Sequence, residues 1–136
     1  MADHRQRLLP RPTPETAHFW NGTRSEELRL QKCGDCNKSY FPPRPFCPNC
    51  SSRDVSIFVA SGRATLYSYV ISHIPAPGLE PPYSVAVVTL EEGPRMMTNI
   101  VDCDQTPQAL TLDMPLEVTF QAQNDEITLP FFKPAG

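Results

Sequence analysis

The chain has 136 residues, a net charge of −3, and 20% charged against 40% hydrophobic side chains. That balance suits one folded domain, or a small module plus one domain, and excludes a disordered chain. Sixteen prolines, more than twice the usual share of about 5%, exclude long uninterrupted helices, because an interior proline removes a donor and clashes with the preceding turn.

The first residues, MADHRQRLLPRP, lack the apolar core of a secretory signal. No run reaches the roughly 18 apolar residues of a membrane-spanning helix. A cytoplasmic protein with no membrane partner is expected. Residues 1–12 read as a flexible basic arm. Thr13-Pro14-Glu15 has a helix start's cap, first-turn proline and first-turn acid. The helix carries Ala17, Phe19 and Trp20 and is expected to stop near Asn21-Gly22. At two to three turns it must dock on something to persist in water. Leu28 to Lys32 alternates as a short strand, and Val55 to Val59 forms another. Residues 13–60 thus form a helix and a cysteine-bearing ribbon.

After Gly62 the pattern is all-β. Ala64–His73 alternates. Pro75–Pro82 is a proline-rich loop. Tyr83–Leu90 is a β-branched strand, Arg95–Val101 a third, Pro115–Phe120 a fourth and Ile127–Phe132 a fifth. Thr106 can cap a single helical turn before the fourth strand. Five strands with a short turn of helix between the third and fourth match a five-stranded OB-fold barrel over residues 61–136. A generic small β-barrel or sandwich is the plainer alternative. The whole is mainly β: N-terminal helix, rubredoxin-like zinc ribbon, then barrel.

Cys33-Gly34-Asp35-Cys36 and Cys47-Pro48-Asn49-Cys50 are two CxxC pairs with ten residues between them. Each tight turn aims two sulfurs at one centre, and two turns give a closed four-sulfur shell that suits structural zinc. Iron in a rubredoxin-like site is the rival. Disulfides are disfavoured in the cytosol, and a redox CxxC wants a βαβ setting. Cys103 stands apart from any histidine or lysine and reads as a strand-end residue rather than a nucleophile.

Charge is unevenly placed. Residues 1–63 hold ten Lys/Arg and six acids, whereas residues 64–136 hold two and nine. So acidic a barrel is a poor partner for phosphate backbones, although OB barrels can bind single strands and Tyr67, Tyr69 and Tyr83 are available to stack. A single-stranded nucleic-acid module is therefore the alternative reading, with no nucleic-acid partner expected. No GxGxxG, Walker loop, GxSxG or HExxH occurs, and His4, His18 and His73 share no motif with a nucleophile. Trp20 beside Phe19 is a candidate to stack a ligand, with anchoring of the helix as the plain structural role.

The sequence resembles a family of small zinc-ribbon/OB-fold proteins long filed as a domain of unknown function. The resemblance rests on Phe19-Trp20-Asn21-Gly22, LRLQKCGDC, FPPRPFCPNC and Ser61-Gly62-Arg63, followed by TLYSYVISH, PPYSVAVVTLEEGPR, NIVDC, DMPLEVTF and LPFFKPA. It covers about residues 13–135. The family often has tryptophan where Phe58 stands and glycine where Asp113 stands. The resemblance implies an accessory, non-catalytic zinc-binding subunit of a hetero-oligomer, beside a thiolase-like or lipid-transfer-protein-type aldolase subunit. Such pairs act in retro-aldol cleavage of steroid CoA thioesters or thiolytic cleavage in aromatic breakdown. The subunit's part is complex assembly and acyl-CoA binding. On that reading Arg44 and Arg63 are candidate contacts to CoA phosphates, their plain alternative being solvated surface charge. The apolar loop IPAPGLEPPY and the end LPFF are interface candidates.

Overall fold

A computed structural model describes residues 7–136, so residues 1–6 of the basic arm lie outside it. A turn at Thr13–Thr16, closed by Thr16 N–H on Thr13 O at 3.0 Å, precedes helix α1, Ala17–Arg24. The helix therefore begins three residues later than its sequence signals suggest and passes through Asn21-Gly22. The cause is a duplicated cap signal. Thr13 and Thr16 are both cap-type residues, but their hydroxyls bond across the turn, and Thr16, the N-cap, makes no side-chain cap hydrogen bond to the helix. The helix ends when Glu26 turns left-handed, at φ 58°, and Glu27 N–H reaches Gly22 O at 2.9 Å.

The ribbon is a three-stranded antiparallel sheet in the order β2-β1-β3. Its strands are β1 Arg29–Cys33, β2 Ser39–Tyr40 and β3 Val55–Val59. Leu30 lies opposite Phe58 and Gln31 opposite both Ile57 and Tyr40. Gly62 makes the passage to the barrel at φ 84°. A Cβ there would stand 2.7 Å from Val118 Cγ1, so only glycine fits.

The second sheet has the order β6-β5-β4-β7-β8. Its strands are β4 Arg63–Ser72, β5 Tyr83–Leu90, β6 Arg95–Thr98, β7 Pro115–Ala122 and β8 Thr128–Pro134. All neighbours are antiparallel. A bulge between Leu66 and Ser68 of β4 adds the bend that lets the sheet curl. Past β6 the chain meets β8 through one parallel bridge, Ile100 with Phe132, where Val101 N–H donates to Phe132 O at 2.8 Å. The result is a curled five-stranded sheet, an incompletely closed barrel with the expected five strands. The segment at Thr106 is a single turn, capped by its own hydroxyl on Ala109 N–H at 3.2 Å.

One apolar cluster joins the parts. Phe19 of α1 and Leu28 and Leu30 of the ribbon pack with Leu66, Val88 and Phe132 of the barrel. Phe132 is fully buried at the single bridge between the chain past β6 and β8.

Asp113 lies at φ 67°, and its N–H donates to Leu66 O at 2.7 Å beside the bulge. The resembled family's glycine at this position has a physical reason, since the left-handed region costs most side chains energy and aspartate least. Asp113→Val is expected to lower the unfolding free energy in urea by about 1–2 kcal/mol, whereas Asp113→Gly leaves it unchanged or raises it.

Candidate functional site

The two cysteine knuckles are built alike. In the first, Asn37 N–H donates to Cys33 O at 3.0 Å and Cys33 N–H to Lys38 O at 3.0 Å. In the second, Ser51 N–H donates to Cys47 O at 2.9 Å and Cys47 N–H to Ser52 O at 2.8 Å. The residue four past each leading cysteine, Asn37 or Ser51, turns left-handed at φ 64° or 67°. Gly34 N–H donates to Asp54 O at 2.7 Å, tying the first knuckle to the start of β3.

The four sulfurs lie within 4.8 Å of one another. Cys33 Sγ is 3.6 Å from Cys50 Sγ, and Cys36 Sγ is 3.6 Å from Cys47 Sγ. A tetrahedron with metal–sulfur bonds of about 2.3 Å has edges of about 3.8 Å, so the sulfurs stand where a zinc shell needs them. Amides point at them. Asp35 and Cys36 N–H donate to Cys33 Sγ at 3.3 and 3.4 Å, and Asn49 N–H donates to Cys47 Sγ at 3.3 Å. The Asn49 side-chain amide reaches Cys36 Sγ at 3.6 Å. These donors favour thiolates, and four crowded thiolates demand a cation. In the metal-free chain the sulfurs ionise unequally. The Lys38 backbone and the Asn49 side chain hold Cys36 down to about 6. Against the pull of the Ser52 backbone, the neighbouring sulfurs push Cys50 up to about 12. A shell of four sulfurs leaves no position for water, so its chemistry is structural.

The link between the knuckles is pinned to the ribbon. Arg44 N–H donates to Gln31 Oε1 at 2.7 Å, and the Tyr40 hydroxyl donates to Arg44 O at 3.1 Å. This sets Phe41 as one wall of a groove of about 330 Å³ between α1, the link and the barrel strands β6 and β8. Phe19 meets Trp20 edge-on at 4.9 Å and Phe41 at 5.2 Å. Trp20 therefore both anchors the helix against the core and lines the groove.

Arg44 is exposed, and only its backbone enters the bonds just described. Arg63 gives two guanidinium hydrogen bonds to Glu91 at 2.9 and 2.8 Å, and these raise its pKa. It lines a different cleft, with Thr65, Thr89 and Pro115. Trp20, Arg44 and Arg63 thus converge on no common cavity. Phe131 of the interface candidate LPFF lines the groove, which also holds two residues that sequence reasoning did not single out, Arg7 and Asn99. No local pattern marks them, because the groove is assembled from distant segments; Arg7 donates to Asn99 Oδ1 at 3.2 Å across 92 residues.

Cys103 is half-buried, and burial, Asp104 and Asp102 push its thiol up, so it stays protonated. Burial and the nearby Arg29 hold His18 below its usual value, which leaves it neutral. No helix among the described residues is long and apolar enough to cross a membrane.

Residues 20–56 match the family model of the ChsH2 rubredoxin-like zinc ribbon domain, and residues 59–121 that of the ChsH2 C-terminal OB-fold domain. A DUF35 domain-containing scaffold protein of Methanothermobacter thermautotrophicus is 32% identical over 116 residues, 82% of this chain and 86% of that protein. A probable enoyl-CoA hydratase alpha subunit of Thermomonospora curvata is 37% identical over 131 residues, 94% of this chain but 40% of that protein. The chain thus spans about two fifths of that hydratase-named relative. A solved structure described as an Ltp2-ChsH2(DUF35) aldolase superposes with a TM-score of 0.83 at 35% identity, covering 94% of this chain and 100% of that chain.

Because a metal shell must displace the protons of its thiols, affinity for zinc rises with pH. With Cys50 protonated up to about 12, at least one proton leaves on binding at neutral pH. The apparent zinc affinity is therefore expected to fall at least tenfold per unit of acidification between pH 8 and 7. Competition with a chromophoric chelator measures it.

Proposed function

The chain belongs to the ChsH2/DUF35 family of zinc-ribbon and OB-fold proteins, and from that premise we propose that it is a non-catalytic subunit of an enzyme complex acting on acyl-CoA thioesters. The chemistry resides in a thiolase-fold or lipid-transfer-protein-type aldolase partner, of thiolytic or retro-aldol type, acting on steroid or aromatic breakdown products. This chain assists assembly and thioester binding. The observation that carries the reading is the full-length superposition on the Ltp2-ChsH2(DUF35) aldolase chain, with a TM-score of 0.83. The hydratase activity named for the Thermomonospora relative belongs to a longer protein and is not assigned here.

In this reading residues 13–60 are the helix and metal ribbon and residues 61–136 the partner-binding barrel. Cys33, Cys36, Cys47 and Cys50 hold one structural zinc, which fixes the knuckles and supplies no Lewis-acid position. Arg44, exposed and in no ion pair among the described residues, is better placed for CoA phosphates than Arg63, whose guanidinium Glu91 already engages.

Features of the barrel weigh against the nucleic-acid alternative. The Arg95 guanidinium covers Tyr67 at 3.7 Å, and Tyr69 packs against the core. Stacking platforms need free ring faces.

Capture of the tagged chain from its native host, followed by native mass spectrometry, tests the proposal. The expected result is a heteromer with a thiolase-fold subunit and one zinc per copy of this chain. Cys36→Ser is expected to lower zinc content and yield of complex together. A chain that stays alone beside such a subunit, and leaves its activity unchanged, refutes the accessory role.

A further inference from the structure

Among the described residues, the groove beside Trp20 is lined mainly by apolar side chains and by a single charged one. Its lining combines ring faces and thioethers, from Phe19, Trp20, Phe131 and Met97, with one ionic side chain, Arg7. Arg7 is itself half-buried. Its guanidinium lies over the Phe131 ring at 5.0 Å and donates to the neutral Asn99 Oδ1 at 3.2 Å. Among the described residues it makes no ion pair. Partial burial lowers its pKa, as expected of a cation that has lost part of its water with no counter-charge among the described residues.

Arg7 is also held in place. Asn99 is fixed by donating from its side-chain amide to Ser84 O at 2.6 Å. The Arg7 backbone packs on Gly78, where a Cβ would stand 2.3 Å from Arg7 N. A guanidinium offers five donors in a fixed fork, and Asn99 takes one of them.

We propose that this groove is a binding site for a compact anionic amphiphile, an apolar chain or ring ending in a carboxylate, with the carboxylate on Arg7 and the apolar body on the rings of Phe19, Trp20 and Phe131. The charge count chooses the ligand class. One cation matches one carboxylate, whereas the several phosphates of a nucleotide need several. Size permits it: a groove of about 330 Å³ has room for several waters, at about 30 Å³ each in the liquid, and so for a small amphiphile. The site uses neither Arg44 nor Arg63, but it shares Trp20 with the candidate ligand contacts and Leu129 to Phe131 with the candidate interface named above.

Trp20 is the only tryptophan in the chain, so its emission reports on this groove alone. The zinc-loaded full chain is titrated with octanoate, 1-octanol and octylammonium. Octanoate is expected to shift Trp20 emission saturably and to bind at least tenfold more tightly than octanol, the range for a charge-assisted pair, with octylammonium weaker still. Arg7→Met keeps the stem and removes the charge, and should reduce the octanoate-to-octanol ratio to about one while octanol affinity stays within about twofold. Arg7→Gln is the second variant should the first lose its native far-UV circular dichroism. Equal affinity of octanoate and octanol in the parent chain, or an octanoate preference that survives both variants, overturns the proposal. So does a Trp20 response to a carboxylate-bearing peptide but not to octanoate, which assigns the groove to a protein partner.

Discussion

A three-stranded sheet whose strands run five, two and five residues cannot bury a core of its own, and the rest of the architecture follows from that shortage. Ordering each residue costs about 1–2 kcal/mol of backbone entropy, and a ribbon this small has too little apolar surface to offset it. It is secured at both ends by something outside itself. At one end Leu28 and Leu30 join Phe19 and the barrel's Leu66 and Phe132 in one cluster. At the other end apolar packing gives way to sulfur. Two knuckles of matching geometry bring four thiols within 4.8 Å, a crowding that favours a divalent cation and disfavours the empty site. The helix has the same dependence. At eight residues it is too short to persist alone, and it survives by placing Phe19 at the seam between ribbon and barrel.

Most of this was legible in the sequence, because it rests on local periodicity. Tyr83–Leu90 alternates half-buried and buried along its whole length, and its β-branched run marks both its ends. The two CxxC pairs announce their own geometry, since a tight turn can aim its sulfurs only one way. Where signals were duplicated the reading slipped: Thr13 and Thr16 are both plausible caps, and the contacts of Phe19 with Trp20 and Phe41 fix where the helix lies. Of the groove, Trp20 and the LPFF end were legible as candidates, but their meeting with Arg7 and Asn99 was not. Arg7 and Asn99 meet across 92 residues, and neither carries a pattern of its own. Arg63, which looked available, is occupied by Glu91 through a pairing of strands β4 and β5 that places Arg63 beside the hairpin tip.

The charge asymmetry gains meaning once contacts are known. Beyond Arg63, which pairs with Glu91, the barrel half carries two cations, Arg95 and Lys133, and both are engaged. Arg95 lies on the Tyr67 ring, and Lys133 reaches Glu117 at 3.7 Å. Nothing in that half is free to gather a polyanion. The cations left over belong to the arm and the ribbon, so any anionic ligand is met from that side of the molecule. Arg7 is the extreme case, half-buried among rings with a neutral amide as its partner.

The link from Phe41 to Cys47 joins the two candidate sites in one short stretch of chain. Phe41 walls the groove, Cys47 is buried in the sulfur cluster, and between them Arg44 is bonded through its backbone to Gln31 and Tyr40 of the ribbon. Freedom gained at one end of so short a segment reaches the other, since only those two hydrogen bonds hold it between. Phe41 in the groove wall and Cys47 in the sulfur cluster are thus two ends of one short stretch, so the position of the cluster bounds the reach of the wall against which Trp20 and Phe131 are set.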